Sequence, residues 1–302
     1  MSDAAIATQR LAKHFGDVVA LDDVSLIVER GEVFGYLGPN GVGKSTTISL
    51  LLGLIRPSSG WARIFDLDAR RDAPTIHRRV AFVPSEANLW PSLTGAEALR
   101  FLGSIHGSVD VAYRDELVDR FELTADKKTR ALSHGNRQKV PLIAAFASRA
   151  DLLLLDEPTT GLDPLMEQVF RACVREARER GQTVLLSSHV LSEVEAVCDR
   201  VAMLREGRII ETGPLDVLRG LAALHVRATV SAPAPDLSGL EGVSNVVAGD
   251  HTIECDVVGS MEPLVSRLAE AGVEHMTTRE PSLEELFLAR YGEGPAPTVN
   301  AR

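Results

Sequence analysis

The sequence predicts an α/β protein built on a parallel β-sheet with helices on both faces, followed by a small α+β domain. Between residues 152 and 204, continuous apolar segments of strand length alternate with amphipathic helical segments. This order is typical of a parallel sheet that is covered on both sides. A glycine-rich loop at residues 38–46 separates an apolar strand from an apolar helix. The composition changes near residue 220, which predicts a second domain.

The elements before residue 150 predict two structures beside that sheet. Residues 5–10 and 24–29 alternate between apolar and polar side chains, so they predict an antiparallel layer. Residues 94–149 show mostly helical periodicity, which predicts a helical subdomain. The remaining predicted elements are strands at 32–37, 63–65, 80–83, 152–155, 183–187 and 200–204, and helices at 45–54, 166–180 and 191–198.

The predicted second domain covers residues 221–292, after a first domain at 1–220. It contains strands at 225–230, 243–247, 252–257 and 273–278, and helices at 261–271 and 283–290. A Pro-containing segment at 231–235 interrupts its first strand. Residues 293–302 predict a frayed tail. A passive role, as a stabiliser or a dimer contact, and a regulatory role are both open for this domain.

Composition narrows the function class. The net charge of −10 and the pI of about 5.3 argue against a general nucleic-acid binder, which needs a basic face. No apolar run approaches the roughly 18 residues of a spanning helix. The N-terminus shows no secretory signal. Three widely separated cysteines fit a reducing cytosol and lack metal-ligand spacing.

The glycine-rich loop fits the pattern G-x-x-x-x-G-K-[ST], which wraps a polyphosphate. Its glycines allow positive φ angles that direct several N–H groups inward. The lysine reaches the β- and γ-phosphates, and the next hydroxyl binds Mg²⁺. A chance turn is the alternative, but the strand–loop–helix order argues against it. The loop consists of Gly38, Pro39, Asn40, Gly41, Val42, Gly43, Lys44, Ser45 and Thr46.

Two acidic residues end the apolar strand at 152–155. Asp156 stands where a carboxylate can hold Mg²⁺, and Glu157 can polarise a water in line with the γ-phosphorus. Phosphoryl transfer needs the metal, positive donors and an oriented nucleophile rather than covalent chemistry. Capping of the next helix is the alternative role for these acids.

A second anion site is predicted at residues 133–139, before the acidic strand. Ser133 and Gly135 form a short turn that opens a helix, where aligned N–H groups and the helix dipole favour an anion. One triphosphate rarely needs two such helix starts, but two chains arranged head to tail would use both. A simple N-cap is the alternative.

In this order the motifs resemble those of an ABC transporter ATP-binding subunit, over residues 4 to about 220. The resemblance implies a P-loop NTPase fold of the ABC ATPase type. It implies ATP as the cofactor, with contacts from the phosphate loop, from Ser133 and Gly135 of the signature, from Asp163 of the D-loop and from Phe15 stacked on adenine. Core packing is the alternative for Phe15.

The same resemblance implies the catalytic and metal residues. Glu157 is the implied base and His189 the switch histidine, whose neutral imidazole can donate to the γ-phosphate. Ser45 and Asp156 are the implied Mg²⁺ ligands, with either Ser85 or Glu86 at the Q-loop position.

Three residues depart from the family pattern or from helix chemistry. His134 and Asn136 stand where the family often has Gly and Gln. Pro141 lies inside the helix after the signature, where it removes a backbone donor and predicts a kink.

The resemblance implies ATP hydrolysis to ADP and phosphate coupled to transport. The implied partners are a second copy, head to tail, and separate integral membrane permease subunits, so the chain would lie peripherally on the cytoplasmic face of the membrane. Trp90 is a candidate docking contact, with core burial as the alternative. No nucleic-acid partner is expected.

The C-terminal region narrows the resemblance. Residues 281–287, after a small α+β domain, resemble drug- and antibiotic-export ABC ATPases, and residues 88–94 with the signature are most similar to ATPases of polyketide ionophore exporters of the tetronasin type. Two alternative classes are a soluble ABC ATPase in translation or DNA repair and a P-loop kinase. The absence of tandem nucleotide domains and the order of the motifs argue against them.

Overall fold

The structure, a computed structural model, describes residues 4–106, 109–220 and 224–279. It divides into two compact units, Met1–Thr212 and Gly213–Arg302. The predicted helix at 283–290, the segment 281–287 and the predicted tail lie outside the described residues.

The described part of the first unit contains two sheets and seven α-helices. Its strands are β1 (Ala4–Phe15), β2 (Val18–Glu29), β3 (Val33–Leu37), β4 (Ser59–Ile64), β5 (Leu67–Asp68), β6 (Val80–Val83), β7 (Leu152–Asp156), β8 (Thr183–Ser188), β9 (Arg200–Arg205) and β10 (Arg208–Pro214), the last of which runs into the second unit. Its helices are α1 (Lys44–Leu51), α2 (Ala73–Ile76), α3 (Gly95–His106), α4 (Val111–Arg120), α5 (His134–Ala147), α6 (Pro164–Glu179) and α7 (Leu191–Val197).

The main sheet has the strand order β10-β9-β3-β8-β7-β6, and the pairs from β9 to β6 are parallel. Every residue of β3, β7 and β8 is buried, as expected of parallel strands covered on both faces. Leu152 and Leu154 join one apolar core, while Leu153 and Leu155 join the other. The predicted two-sided sheet is therefore confirmed.

The predicted antiparallel layer is also confirmed. Four strands pair in the order β2-β1-β4-β5, with Thr8 opposite Leu26 and Ala7 opposite Arg63. The apolar side chains of this layer share a core with α1 and with one face of the main sheet. The phosphate loop lies against both sheets, with Gly43 beside Ala20 and Leu21 of β2 and Gly38 beside Leu204 of β9.

The predicted helical subdomain consists of α3, α4 and α5, which pack on the other face of the main sheet. Residue Pro141 is buried inside α5, and the helix continues through it. Its missing N–H removes one bond of the helix ladder. The kink expected at this position stays a prediction.

A hydrogen-bonded ion pair ties this subdomain to α6. Arg120 donates through both terminal nitrogens to Glu176, at 3.1 and 2.7 Å. The Tyr113 hydroxyl donates to the same carboxylate at 2.6 Å. These bonds, with that from Arg120 the largest cause, lower the pKa of Glu176 below its usual value.

We expect Glu176→Gln to destabilise the first unit by about 1–3 kcal/mol, because it weakens a charge-assisted bidentate pair. Urea unfolding measures the loss. Because the pKa of Glu176 is lowered in the folded state, its contribution is present at neutral pH and is lost as the pH falls through that lowered pKa. The difference between variant and wild type should therefore shrink in acid. Equal stability of the two proteins at neutral pH would contradict this prediction.

The second unit has helix α8 (Leu215–Gly220), strands β11 (Leu224–Val230), β12 (Val243–Ala248), β13 (Thr252–Val257) and β14 (Val273–Arg279), and helix α9 (Glu262–Glu270). The strands form an antiparallel sheet in the order β12-β13-β11-β14. Leu264 and Leu268 of α9 pack against the sheet residues Val226 and Ile253. The strands and the helix at 261–271 lie where the sequence predicts them.

Candidate functional site

The phosphate loop follows the central strand β3 and ends at the start of α1. Gly43 caps α1 with φ of +111°, and Gly41 has φ of +80°. A Cβ on Gly43 would lie 2.5 Å from the Ala20 carbonyl oxygen and 2.5 Å from Leu21 Cδ2. Only glycine fits at position 43, because a larger residue would have both an unfavourable positive φ and a steric clash.

Lys44 is buried and its ammonium binds several oxygen atoms. Nζ donates to the carbonyl of Gly38 at 2.6 Å and to that of Pro39 at 3.1 Å. It also forms an ion pair with Glu157 Oε1 at 2.9 Å. The positive charge thus lies inside the loop, beside the acid that follows β7.

The other oxygen of Glu157 contacts His189, the predicted switch histidine. His189 Nδ1 lies 2.5 Å from Glu157 Oε2. The Glu157 backbone adopts φ of +48°, and its N–H donates to the Ser187 carbonyl at 3.1 Å. The structure therefore brings Lys44, Glu157 and His189 together from three distant parts of the chain. In this arrangement Glu157, the predicted base, contacts Lys44 and His189, the two side chains expected to bind the γ-phosphate.

Asp156 lies at the end of β7 and is buried. Its Oδ1 accepts a hydrogen bond from Ser187 Oγ at 2.5 Å. Among the described residues no group of three or more His, Cys, Asp or Glu side chains could hold a metal. A carboxylate, the Ser45 hydroxyl and phosphate oxygens are donors that Mg²⁺ accepts in nucleotide sites, so the chemistry of these two side chains fits the ion.

A cleft of about 370 Å³ gathers most of the predicted site. It is lined by Asn40, Gly41, Gly43, Lys44, Ser45, Thr46, Ser85, Glu86, Glu157, Thr160 and His189. Both Q-loop candidates, Ser85 and Glu86, reach the cleft, so the choice between them stays a prediction. Buried Gln138 donates to the Pro84 carbonyl at 2.9 Å and fixes this segment to α5. The sequence does not predict the bond from Gln138 to Pro84 or the position of Thr160 in the cleft.

The signature and the D-loop do not line this cleft. Ser133 caps α5 by accepting from the Asn136 N–H at 3.3 Å. A Cβ on Gly135 would lie 2.4 Å from the Gly161 carbonyl oxygen, so the two loops touch. Asp163 caps α6 by accepting from two N–H groups, each at 3.0 Å. Any nucleotide contact of Ser133, Gly135 and Asp163 stays a prediction.

Two aromatic residues are more exposed than core packing allows. The Phe15 side chain is 50% exposed, with Lys13 Nζ lying 4.7 Å from the ring centre. Trp90 is 48% exposed and packs edge to face on Phe101 at 4.6 Å. Core burial is therefore wrong for both residues, while adenine stacking and permease docking stay predictions.

Comparison with known proteins identifies the family. A family model described as ABC transporter matches residues 21–160. Daunorubicin resistance ATP-binding protein DrrA3 of Streptomyces coeruleorubidus is 35% identical over an alignment that covers 97% of this chain and 98% of the relative. The chain belongs to the ABC transporter ATP-binding proteins. The linearmycin resistance ATP-binding protein LnrL of Bacillus subtilis is 31% identical and covers 95% of the chain and 98% of that relative.

Solved structures agree with this assignment. The solved structure of an ATP-binding subunit of an ABC transporter matches with a TM-score of 0.66 and 32% sequence identity. The match covers 71% of this chain and 92% of the chain in that structure. A dimeric post-hydrolysis state of the ATP-binding cassette MJ0796, bound to ADP and Pi, matches with a TM-score of 0.62 and 25% sequence identity. This match covers 70% of this chain and 98% of the chain in that structure. The predicted P-loop NTPase fold, ATP binding and ATPase activity are confirmed, and the kinase alternative is wrong.

Proposed function

We propose that this chain is the motor subunit of an exporter for a drug- or antibiotic-like compound, which it drives through separate integral membrane subunits. The observation that carries the proposal is near-complete alignment with relatives named for daunorubicin and linearmycin resistance. No helix of the described residues is long and apolar enough to cross a bilayer. As an ATP-binding subunit of an ABC transporter, the chain would act from the cytoplasmic face of the membrane, bound to a permease.

In this function two chains bind two ATP molecules head to tail. The phosphate loop of one chain and Ser133 and Gly135 of the other enclose each triphosphate. Lys44 binds the β- and γ-phosphates, and Phe15 stacks on the adenine. Bound Mg²⁺, held by Ser45, Asp156 and either Ser85 or Glu86, would neutralise phosphate charge.

Hydrolysis begins when the γ-phosphate replaces Glu157 as the partner of Lys44 and His189. Glu157 then turns to a water, holds it in line with the γ-phosphorus and accepts its proton. His189 donates to the γ-phosphate and so reports its presence. Release of phosphate then lets the two chains separate. The exposed surface at Trp90 transmits this movement to the permease.

Co-expression with an integral membrane permease subunit from the same genome tests this function. We expect the chain to co-purify with that protein from detergent-solubilised membranes and to confer drug resistance on a sensitive strain. A Lys44→Ala chain should confer none, because it lacks the phosphate-binding ammonium. Co-purification with ribosomes or DNA instead of a membrane protein would contradict the proposal and favour a soluble ABC ATPase. The narrower likeness to ionophore exporters is tested by the compounds that the strain resists.

A further inference from the structure

Glu193 is a buried carboxylate that the site described above does not use. It lies in the first turn of α7, with 7% of its surface exposed. It does not line the nucleotide cleft. Burial of a carboxylate is costly unless hydrogen bonds compensate for lost water, so its partners explain its presence.

Both carboxylate oxygens accept hydrogen bonds from buried hydroxyls. Thr159 Oγ1 donates to Oε1 at 2.5 Å, and Ser188 Oγ donates to Oε2 at 2.7 Å. Thr159 is two residues after Glu157, and Ser188 is the residue before His189. The Glu193 side chain therefore joins the loop after Glu157 to the end of β8, which His189 follows.

Ser188 extends this connection in two directions. Its hydroxyl oxygen accepts from the Val190 N–H at 2.9 Å, on the other side of His189. Its carbonyl accepts from the Gly38 N–H at 3.2 Å, at the entrance of the phosphate loop. The hydroxyl that donates to Glu193 thus also binds the backbone on the far side of His189.

We propose that Glu193 is a positioning residue for ATP hydrolysis, which holds Glu157 and His189 at a fixed separation across the ends of β7 and β8. A carboxylate offers a separate acceptor oxygen to each of the two hydroxyl donors. A glutamine offers one acceptor oxygen and an NH₂ group, which cannot accept. The proposal rests on the proposed roles of Glu157 and His189, and it assigns no substrate contact to Glu193.

The test compares Glu193→Gln with Glu195→Gln, which makes the same chemical change two residues further along α7. We expect kcat of Glu193→Gln to fall about tenfold or more, because small displacements of catalytic groups cost up to about a hundredfold. The affinity for a non-hydrolysable ATP analogue should stay within about threefold of wild type, since Lys44 and the phosphate loop are unchanged. The control should keep wild-type kcat.

A second pair of variants separates positioning from folding. Thr159→Val removes one donor with little change in volume, and Thr159→Ser keeps that donor. We expect Thr159→Val to lose kcat with unchanged analogue affinity and Thr159→Ser to retain it. Combining Thr159→Val with Glu193→Gln should cost less than the product of the single losses. If Glu193→Gln does not fold, the comparison of Thr159→Val with Thr159→Ser still tests the positioning role.

Three outcomes have distinct meanings. Wild-type kcat in both Glu193→Gln and Thr159→Val, in a chain that hydrolyses ATP, would overturn the positioning role and leave the proposed function intact. Parallel losses of analogue affinity and kcat in Thr159→Val would also overturn it, because they indicate a general structural role. A wild-type chain that does not hydrolyse ATP would instead overturn the proposed function.

Discussion

Gly43→Ala should weaken ATP binding by about a hundredfold or more. The added Cβ would meet a backbone oxygen and the Leu21 side chain at 2.5 Å, at a residue with φ of +111°. Positive φ for alanine and overpacking each cost about 1–3 kcal/mol, and every 1.4 kcal/mol is about tenfold in affinity. The loop must shift to relieve the clash, and its N–H groups then no longer converge on the phosphates. Isothermal titration with a non-hydrolysable ATP analogue measures the loss.

Gly181→Ala is the matched control for this variant. Gly181 also has positive φ, of +78°, but a Cβ there would meet nothing within 4 Å. It lies after α6 and does not line the cleft. The control should therefore lose about 1–3 kcal/mol of stability at most and bind the analogue normally. Equal binding by Gly43→Ala and wild type would contradict the proposed phosphate contacts of the loop.

Glu157→Gln should reduce ATP turnover by about 10²–10⁴-fold, because an amide cannot accept the proton of the attacking water. The same change should strengthen nucleotide binding. In the described structure Glu157 carries negative charge to 2.9 Å from Lys44 Nζ and 2.5 Å from His189 Nδ1. Removing that charge frees both groups for the γ-phosphate. Steady-state phosphate release and titration with an ATP analogue measure the two effects separately.

Glu206→Gln is a control for the charge change, since Glu206 is exposed and does not line the cleft. It should retain wild-type turnover and affinity. Wild-type turnover in Glu157→Gln would overturn the assignment of the base. Unchanged analogue affinity in Glu157→Gln would show that its contacts to Lys44 and His189 do not compete with the nucleotide.

The sequence predicts most of the fold because its patterns are local. The strands Leu152–Asp156 and Thr183–Ser188 contain continuous apolar runs at residues 152–155 and 184–186, which are typical of buried parallel strands. The phosphate loop is equally local, because one continuous segment supplies its glycines, its lysine and its hydroxyls. The ends of elements are less well predicted: the helix expected to reach residue 54 ends at Leu51.

The contacts of Glu157 with Lys44 and His189 could not be predicted, because they join residues that are far apart in the chain. Nothing near Glu157 in the sequence indicates that Lys44 and His189 share its two oxygens. Glu193 reads as an ordinary acid in the first turn of a helix, and only the fold buries it against Thr159 and Ser188. The exposure of Phe15 was likewise undecided, since an aromatic residue at a strand end fits either a core or a ligand surface.

The mass of Glu157→Gln in solution, with and without ATP and Mg²⁺, tests the central claim most directly. The claim is that two chains enclose the triphosphate between the phosphate loop of one and Ser133 of the other. Sedimentation velocity should give a monomer without nucleotide and a dimer with it. Adding Ser133→Asp should abolish that dimer, because aspartate still caps α5 but sets a negative charge against the phosphates. A monomer under every condition, or a dimer that ignores both ATP and Ser133→Asp, would contradict the account.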